Sequence, residues 1–192
     1  MTTLSHALKE WAVICRALAE GRQAVLLRKG GIAEGGGAFE VEQRRFWLYP
    51  TYVHQQTTGL LEEAYPLLER VEAERPPANV VRLSHFAEVA GIFQLHDIVG
   101  VLKMDGLHLL SRETVQDRFF YRDPGLFVLA VRVYRAAEVV ELPETPAYAG
   151  CRSWVDLGRD LSTEGAAPVL EDREFYNVLH ELERRLEPTA WV

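Results

Sequence analysis

The nine residues from Leu126 to Tyr134 constrain this chain most, because their side chains follow the two-residue period of a strand. Phe127, Leu129, Val131 and Val133 share one face. Leu126, Val128, Ala130, Arg132 and Tyr134 share the other, which turns polar at its far end. A second apolar stretch, Trp11 to Leu18, leads through Glu20-Gly21 into Ala24-Val25-Leu26-Leu27. This pattern predicts a hairpin turning at Glu20-Gly21, and strands apolar on both faces belong in the middle of a sheet. Further strand material is expected at residues 39–41, at 46–49 with Pro50 ending the run, and at 80–93.

Helical spacing appears in two places. Leu60, Ala64, Leu67, Leu68 and Val71 fall on one face, with Pro66 inside the pattern, so a kink or two abutting short helices is expected there. Phe175, Val178, Leu179, Leu182 and Leu186 form the apolar face of a last helix, and Glu181 and Arg185 are spaced to pair on the other. Ser111 is placed to cap a short helix through Phe119, and Asp123-Pro124-Gly125 reads as a turn. Strands that cluster early and again in the middle, with helices between them and at the end, do not alternate as a doubly wound parallel sheet requires. The fold expected is α+β, with a largely antiparallel or mixed sheet, open or curled into a partial barrel.

At 192 residues the chain suits one domain over 1–192, or two closely packed lobes at about 1–75 and 78–192. No apolar run is long enough to cross a bilayer, and the first six residues lack a basic start and an apolar signal core. A cytoplasmic location is expected, with Cys15 and Cys151 as reduced thiols. The net charge of -7 argues against a generic nucleic-acid coat, but it is unevenly spread. Residues 1–58 carry a net +2, residues 59–135 a net -2 and residues 136–192 a net -7. A phosphate-facing surface would therefore lie in the first third.

That third contains an unusual run, from Arg44 to Gln55, with four aromatics, two arginines, a histidine and an amide. Phe46 and Leu48 are expected to point inward with Trp47 half-covered. From Tyr49 onward the polar tips would be displayed on a frame stiffened by Pro50. Arginines and aromatic planes stack on bases and other flat groups. The contact surface predicted is Arg28, Lys29, Arg44, Arg45, Trp47, Tyr52, His54 and Gln55. Arg132 and Arg152 are expected to join it, the latter in Gly150-Cys151-Arg152-Ser153-Trp154.

Catalytic signatures are scarce. The glycines after Arg28-Lys29 are followed by no Gly-Lys-Ser/Thr and do not have dinucleotide-binding spacing. The opening through Leu26-Leu27-Arg28-Lys29 and then Phe46 to Pro50 is similar to the start of a Nudix hydrolase. However, Glu62-Glu63 is not preceded by the Arg-Glu step of that family's metal box. A restriction-type nuclease needs an acid two residues before a lysine, and the residues two before Lys9, Lys29 and Lys103 are Ala7, Leu27 and Val101. The six histidines show no zinc-protease spacing, there is no Cys-x-x-Cys, and no serine-hydrolase elbow occurs. No metal or cofactor is expected.

Several segments together resemble a bacterial family whose domain has no assigned function. They are Ala7-Leu8-Lys9-Glu10-Trp11-Ala12, Leu27-Arg28-Lys29-Gly30-Gly31-Ile32, Phe46 to Gln55, Leu129 to Tyr134 and Tyr148 to Trp154. Members are sometimes joined to Mrr-type restriction endonuclease domains. The resemblance implies a restriction–modification context, and the length of this chain implies that a nuclease would be a separate subunit. The expected role is a non-catalytic recognition or accessory domain for DNA or a nucleotide. Two alternatives stand beside it: a metal-dependent hydrolase of nucleotides or small phosphorylated substrates, with Glu62, Glu63 or His54 near the chemistry, and a structural or dimerisation module with the aromatic run at a subunit contact.

Overall fold

A computed structural model describes residues 2–29, 43–53, 55–148 and 153–186. Among these, β1 (Thr3–Trp11), β2 (Val25–Arg28), β3 (Arg45–Thr51), β4 (Val80–Leu95), β5 (Leu126–Pro143), β6 (Trp154–Ser162) and β7 (Ala167–Pro168) form one sheet. Its order is β2-β5-β4-β3-β1-β6, with β7 beside β5. β1 and β3 run parallel and every other pairing is antiparallel. The helices are α1 (Ala12–Ala19), α2 (Tyr65–Ala73), α3 (Ile98–Leu102), α4 (Arg112–Phe120) and α5 (Asp172–Leu186). The fold is therefore α+β with a mixed sheet, as expected, and the sheet is not closed into a barrel.

The sheet nevertheless curls strongly. Four strand spacings would put β2 about 19 Å from β1 in a flat sheet. Yet Arg28, at the end of β2, donates to the Lys9 carbonyl of β1 at 3.0 Å and to the Glu10 carboxylate at 2.9 Å. Register shifts in β4 at Leu83/His85 and Val89/Gly91, and in β1 at Leu4/His6, give the strands their bend.

Both faces of the sheet are covered. One cluster holds Leu8, Phe46, Leu48, Leu129 and the inner sides of α1 and α2. The other holds Ala7, Trp47, Tyr49, Phe86, Leu142 and Leu157. β3 lies between β4 and β1, so Phe46, Trp47, Leu48 and Tyr49 are all buried. This corrects the expectation of a half-covered Trp47. Its indole donates to the Leu4 carbonyl at 3.3 Å and meets Phe86 edge-on at 5.6 Å. The mixture of large side chains there reflects two buried faces, one apolar with Phe46 and Leu48 and one on which Trp47 and Tyr49 each have a polar tip to satisfy.

Two local expectations also change. The apolar run after Trp11 is helix α1, with Ala12, Val13, Ile14, Cys15, Ala17 and Leu18 buried. An apolar run without polar alternation fits a buried helix as well as a buried strand. Glu20-Gly21 is its C-terminal cap and no hairpin turn: Glu20 N–H donates to the Arg16 carbonyl, and Gly21 takes φ +68°, which glycine adopts without a Cβ penalty. β3 also continues through Pro50 to Thr51. β4 pairs with β3 only as far as Trp47, so no ladder bond on that flank is lost at the proline.

Other readings match. Pro66 lies in the first turn of α2, directly after a 3-10 turn at Glu62–Ala64, giving two abutting short helical pieces. The Ser111 hydroxyl caps α4 by accepting from Thr114 N–H at 3.2 Å. β5 begins at Leu126 as expected but runs on to Pro143. On α5, Phe175, Leu182 and Leu186 are buried and Glu181 pairs with Arg185 at 2.6 Å. Among the described residues no helix is long and apolar enough to cross a membrane. Cys15 is a buried free thiol, whereas Cys151 and the strand expected at 39–41 lie outside the described residues.

Candidate functional site

The carboxyl ends of the parallel pair lie side by side, Glu10 opposite Pro50 and Trp11 opposite Thr51. Beyond them the chains part, one into α1 and the other into Tyr52 and Val53. Such divergence leaves a crevice outside the strand ends. Here it is a cavity of about 600 Å³, closed on its other sides by Arg75 to Ala78, the start of β4, Arg28, Arg118 and Tyr148.

Glu10 forms its floor and is buried. The carboxylate receives Arg28 at 2.9 Å, stands 3.6 Å from Arg118 Nη2, and accepts from Trp11 N–H at 2.9 Å. Arg28 also donates to the Lys9 carbonyl, and Arg118 to the Leu27 carbonyl at 2.9 Å. Burial alone would raise the Glu10 pKa. The charges of Arg118 and Arg28, with the Trp11 hydrogen bond, outweigh that and hold it below the usual carboxylate value. Burial pulls the Arg118 pKa down, Glu10 opposes this, and Arg28 adds to it. Two guanidiniums thus share one carboxylate, and the floor carries an excess positive charge.

The walls are flat and partly cationic. The Arg75 guanidinium lies 4.7 Å from the centre of the Tyr52 ring. Lys9 donates to the Tyr148 carbonyl and sits 5.6 Å from the centre of the Tyr49 ring. The Tyr49 hydroxyl donates to Glu144 at 3.3 Å. Burial and the neighbouring Glu144 push its pKa well up, so it remains a donor. Pro50, Pro76 and Pro77 line the same space and hold its rim.

The predicted contact residues do not form one surface. Arg28 and Tyr52 line the cleft. Arg44 and Arg45 lie at the other end of β3, where Arg45 packs over Phe86 at 5.5 Å and approaches Glu88 at 3.8 Å. At about 3.3 Å of rise per residue they are on the order of 20 Å from Thr51. Trp47 is interior and unavailable to a ligand. Gln55 is buried as well, accepting from Val13 N–H at 3.2 Å and donating to Glu72 at 2.5 Å. Arg132 pairs with Asp172 and lies over Phe175 at 5.4 Å, where it ties α5 to the sheet. His54 and Arg152 lie outside the described residues.

Lys29 is engaged elsewhere too. Its ammonium donates to the carbonyls of Phe119 at 2.8 Å, Gly125 at 3.0 Å and Asp123, which fastens β2 to the loop after α4. We expect Lys29→Met to lower the unfolding free energy by about 1–3 kcal/mol in chemical denaturation while leaving ligand affinity at the cleft unchanged. Glu62 and Glu63 sit exposed on their 3-10 turn and do not line the cleft. No group of three or more metal-ligating side chains occurs among the described residues.

The cleft residues missed by the sequence reading are Lys9, Glu10, Arg75 and Arg118. Arg118 lies 108 positions from Glu10, and nothing local in either segment signals the meeting. One signal did exist. The segments that carry the family resemblance supply Lys9, Glu10, Trp11, Arg28, Tyr49 to Val53, Tyr148 and Ser153 of the lining.

Fold and cleft together define an α+β protein with a cationic crevice at the ends of its parallel strand pair. The chain belongs to the DUF1802 family, a domain of unknown function, whose model matches residues 7–181. No curated protein matches the sequence. Among solved structures, a tyrosine-to-phenylalanine mutant of ZmASCH from Zymomonas mobilis is similar at 14% identity and a TM-score of 0.44, covering 91% of this chain and 96% of that one. ASCH from Zymomonas mobilis without that substitution aligns at 13% identity and a TM-score of 0.40, covering 91% and 93%.

Proposed function

We propose that this protein is a recognition or accessory domain whose cleft holds a ligand of nucleotide character, free or within a nucleic-acid strand. The observation that carries this reading is the convergence of Lys9, Arg28, Arg75 and Arg118 on one cavity with an aromatic wall, opposed there by Glu10 and Glu144. Cations of this kind hold phosphate, and a tyrosine face stacks a base. A volume near 600 Å³ lies within the range of about 300–1,000 Å³ typical of small-ligand sites. The comparisons lend no support to a restriction–modification role or a nuclease partner, and neither is part of the proposal.

The test is a fluorescence or calorimetric titration with nucleotides and a short single strand at low and high salt. Affinity should fall as salt rises. Tyr52→Leu should weaken binding about tenfold or more, since base–aromatic stacking contributes roughly 1–3 kcal/mol. Arg44→Ala combined with Arg45→Ala should change little, because both lie at the far end of β3. Absence of binding at low salt, or a loss caused by the Arg44/Arg45 pair and not by Tyr52→Leu, would overturn the reading.

A further inference from the structure

We infer that the cleft takes a terminal phosphate, the phosphomonoester of a nucleotide or of a strand end, rather than a run of backbone phosphodiesters. This rests on the reading above and narrows it.

The cations of the floor converge on a point. Arg28, on β2, and Arg118, on the neighbouring α4, approach the same carboxylate at 2.9 and 3.6 Å. The side chains of Arg28, Glu10 and Arg118 are only 12%, 3% and 21% exposed, so their charges are weakly screened by water. Two positive groups against one negative group leave an excess that a dry site does not tolerate well unless an anion joins it. The Arg28 contacts to Lys9 and Glu10 both run through Nη1. Among the described residues Nη2 and Nε take no hydrogen-bond partner, and these are the donors with which a guanidinium grips phosphate oxygens in pairs. A phosphomonoester carries about -1.5 to -2 at pH 7, enough to meet the floor and the neighbouring Lys9.

A phosphodiester backbone presents single charges in series and calls for a stripe of available cations. The arginines around the cleft form no such stripe. Arg82 in the lining is held by Glu141 at 2.8 Å, and Arg75 on the rim stands 3.9 Å from Glu72. Carboxylates thus neutralise the periphery, and the uncompensated charge is confined to the floor.

Four probes decide the matter by calorimetry: adenosine, its 5′-monophosphate, and a short oligothymidylate with and without a 5′-phosphate. The inference expects the monophosphate to bind at least tenfold tighter than adenosine. If a strand end is the natural ligand, the 5′-phosphorylated oligomer should exceed its unphosphorylated twin by a similar factor. A free nucleotide is indicated if the monophosphate binds and both oligomers are weak. Equal binding of the two oligomers, tighter than the monophosphate, would overturn the terminal-phosphate inference while leaving the cleft reading intact. Failure of all four to bind would overturn both. Arg28→Lys should reduce the monophosphate-to-adenosine ratio. Should that variant melt early, Arg75→Ala on the exposed rim gives a second measurement. It should lower the monophosphate-to-adenosine ratio only slightly, because Arg75 lies over the Tyr52 ring and away from the floor, and a collapse of the ratio there would count against the floor as the phosphate site.

Discussion

Glu10→Gln is expected to lower the unfolding free energy by about 3–5 kcal/mol, measured by urea denaturation at pH 7. Glutamine keeps the shape and can still accept from Trp11 N–H. It removes the one negative charge that Arg28 and Arg118 share, so two guanidiniums would face each other where little water enters. The matched control is Glu141→Gln, which frees Arg82 on the surface. That pair is about half exposed on both sides, and its loss should change stability by less than about 1 kcal/mol. If the two substitutions have equal effects, the charge cluster is not a determinant of stability. The lowered pKa of Glu10 has a consequence in acid. Its contribution is fully present above the unfolded carboxylate value of 4.5 and is lost as pH falls through the lower folded value.

The second large effect is a loss of stability between pH 6.5 and about 4, set by two histidines. His108 is buried, and its Nδ1 accepts from Leu110 N–H at 3.2 Å, which requires that nitrogen to be unprotonated. Burial is the main reason its pKa falls from 6.5 to about 4, with Asp105 opposing and Arg118 assisting. His85 is lowered to about 4 by burial and by the charges of Arg135 and Arg16. Below pH 6.5 the unfolded chain binds protons at these positions and the folded chain does not. Stability is therefore full above 6.5 and declines toward 4. His108 accounts for about 3 kcal/mol of this, at 1.36 kcal/mol per pKa unit. Urea midpoints from pH 8 to 4 should show the decline, and His108→Gln, which can still accept from Leu110, should flatten it. An unchanged profile in that variant would show that His108 titrates normally in the folded protein.

Elements whose evidence is local were legible. The alternation of Leu126 to Tyr134, the face from Phe175 to Leu186 and the Ser111 cap each depend on neighbours within a few residues, and each appears where expected. Confusion arose where both sides of a segment are buried. The run from Ala12 to Leu18 is apolar all round and therefore carries no period to distinguish helix from strand. Trp47 and Tyr49 presented amphipathic side chains that suit a contact surface or the middle of a two-sided core. Burial under a second layer decides between these, and that layer comes from β4, β5 and β6, far along the chain.

By itself the sequence determined an α+β chain with a largely antiparallel or mixed sheet, the positions of its clearest strand and last helix, and the confinement of net positive charge to the first third. The site was decided by the fold. Periodicity reports only which face a side chain shares with its near neighbours, whereas Lys9, Glu10, Arg28, Arg75 and Arg118 meet through the curl of the sheet and the divergence of two parallel strands. Charge interactions act through space and not along the backbone, so a carboxylate at position 10 and a guanidinium at position 118 become partners only once the strands between them are packed.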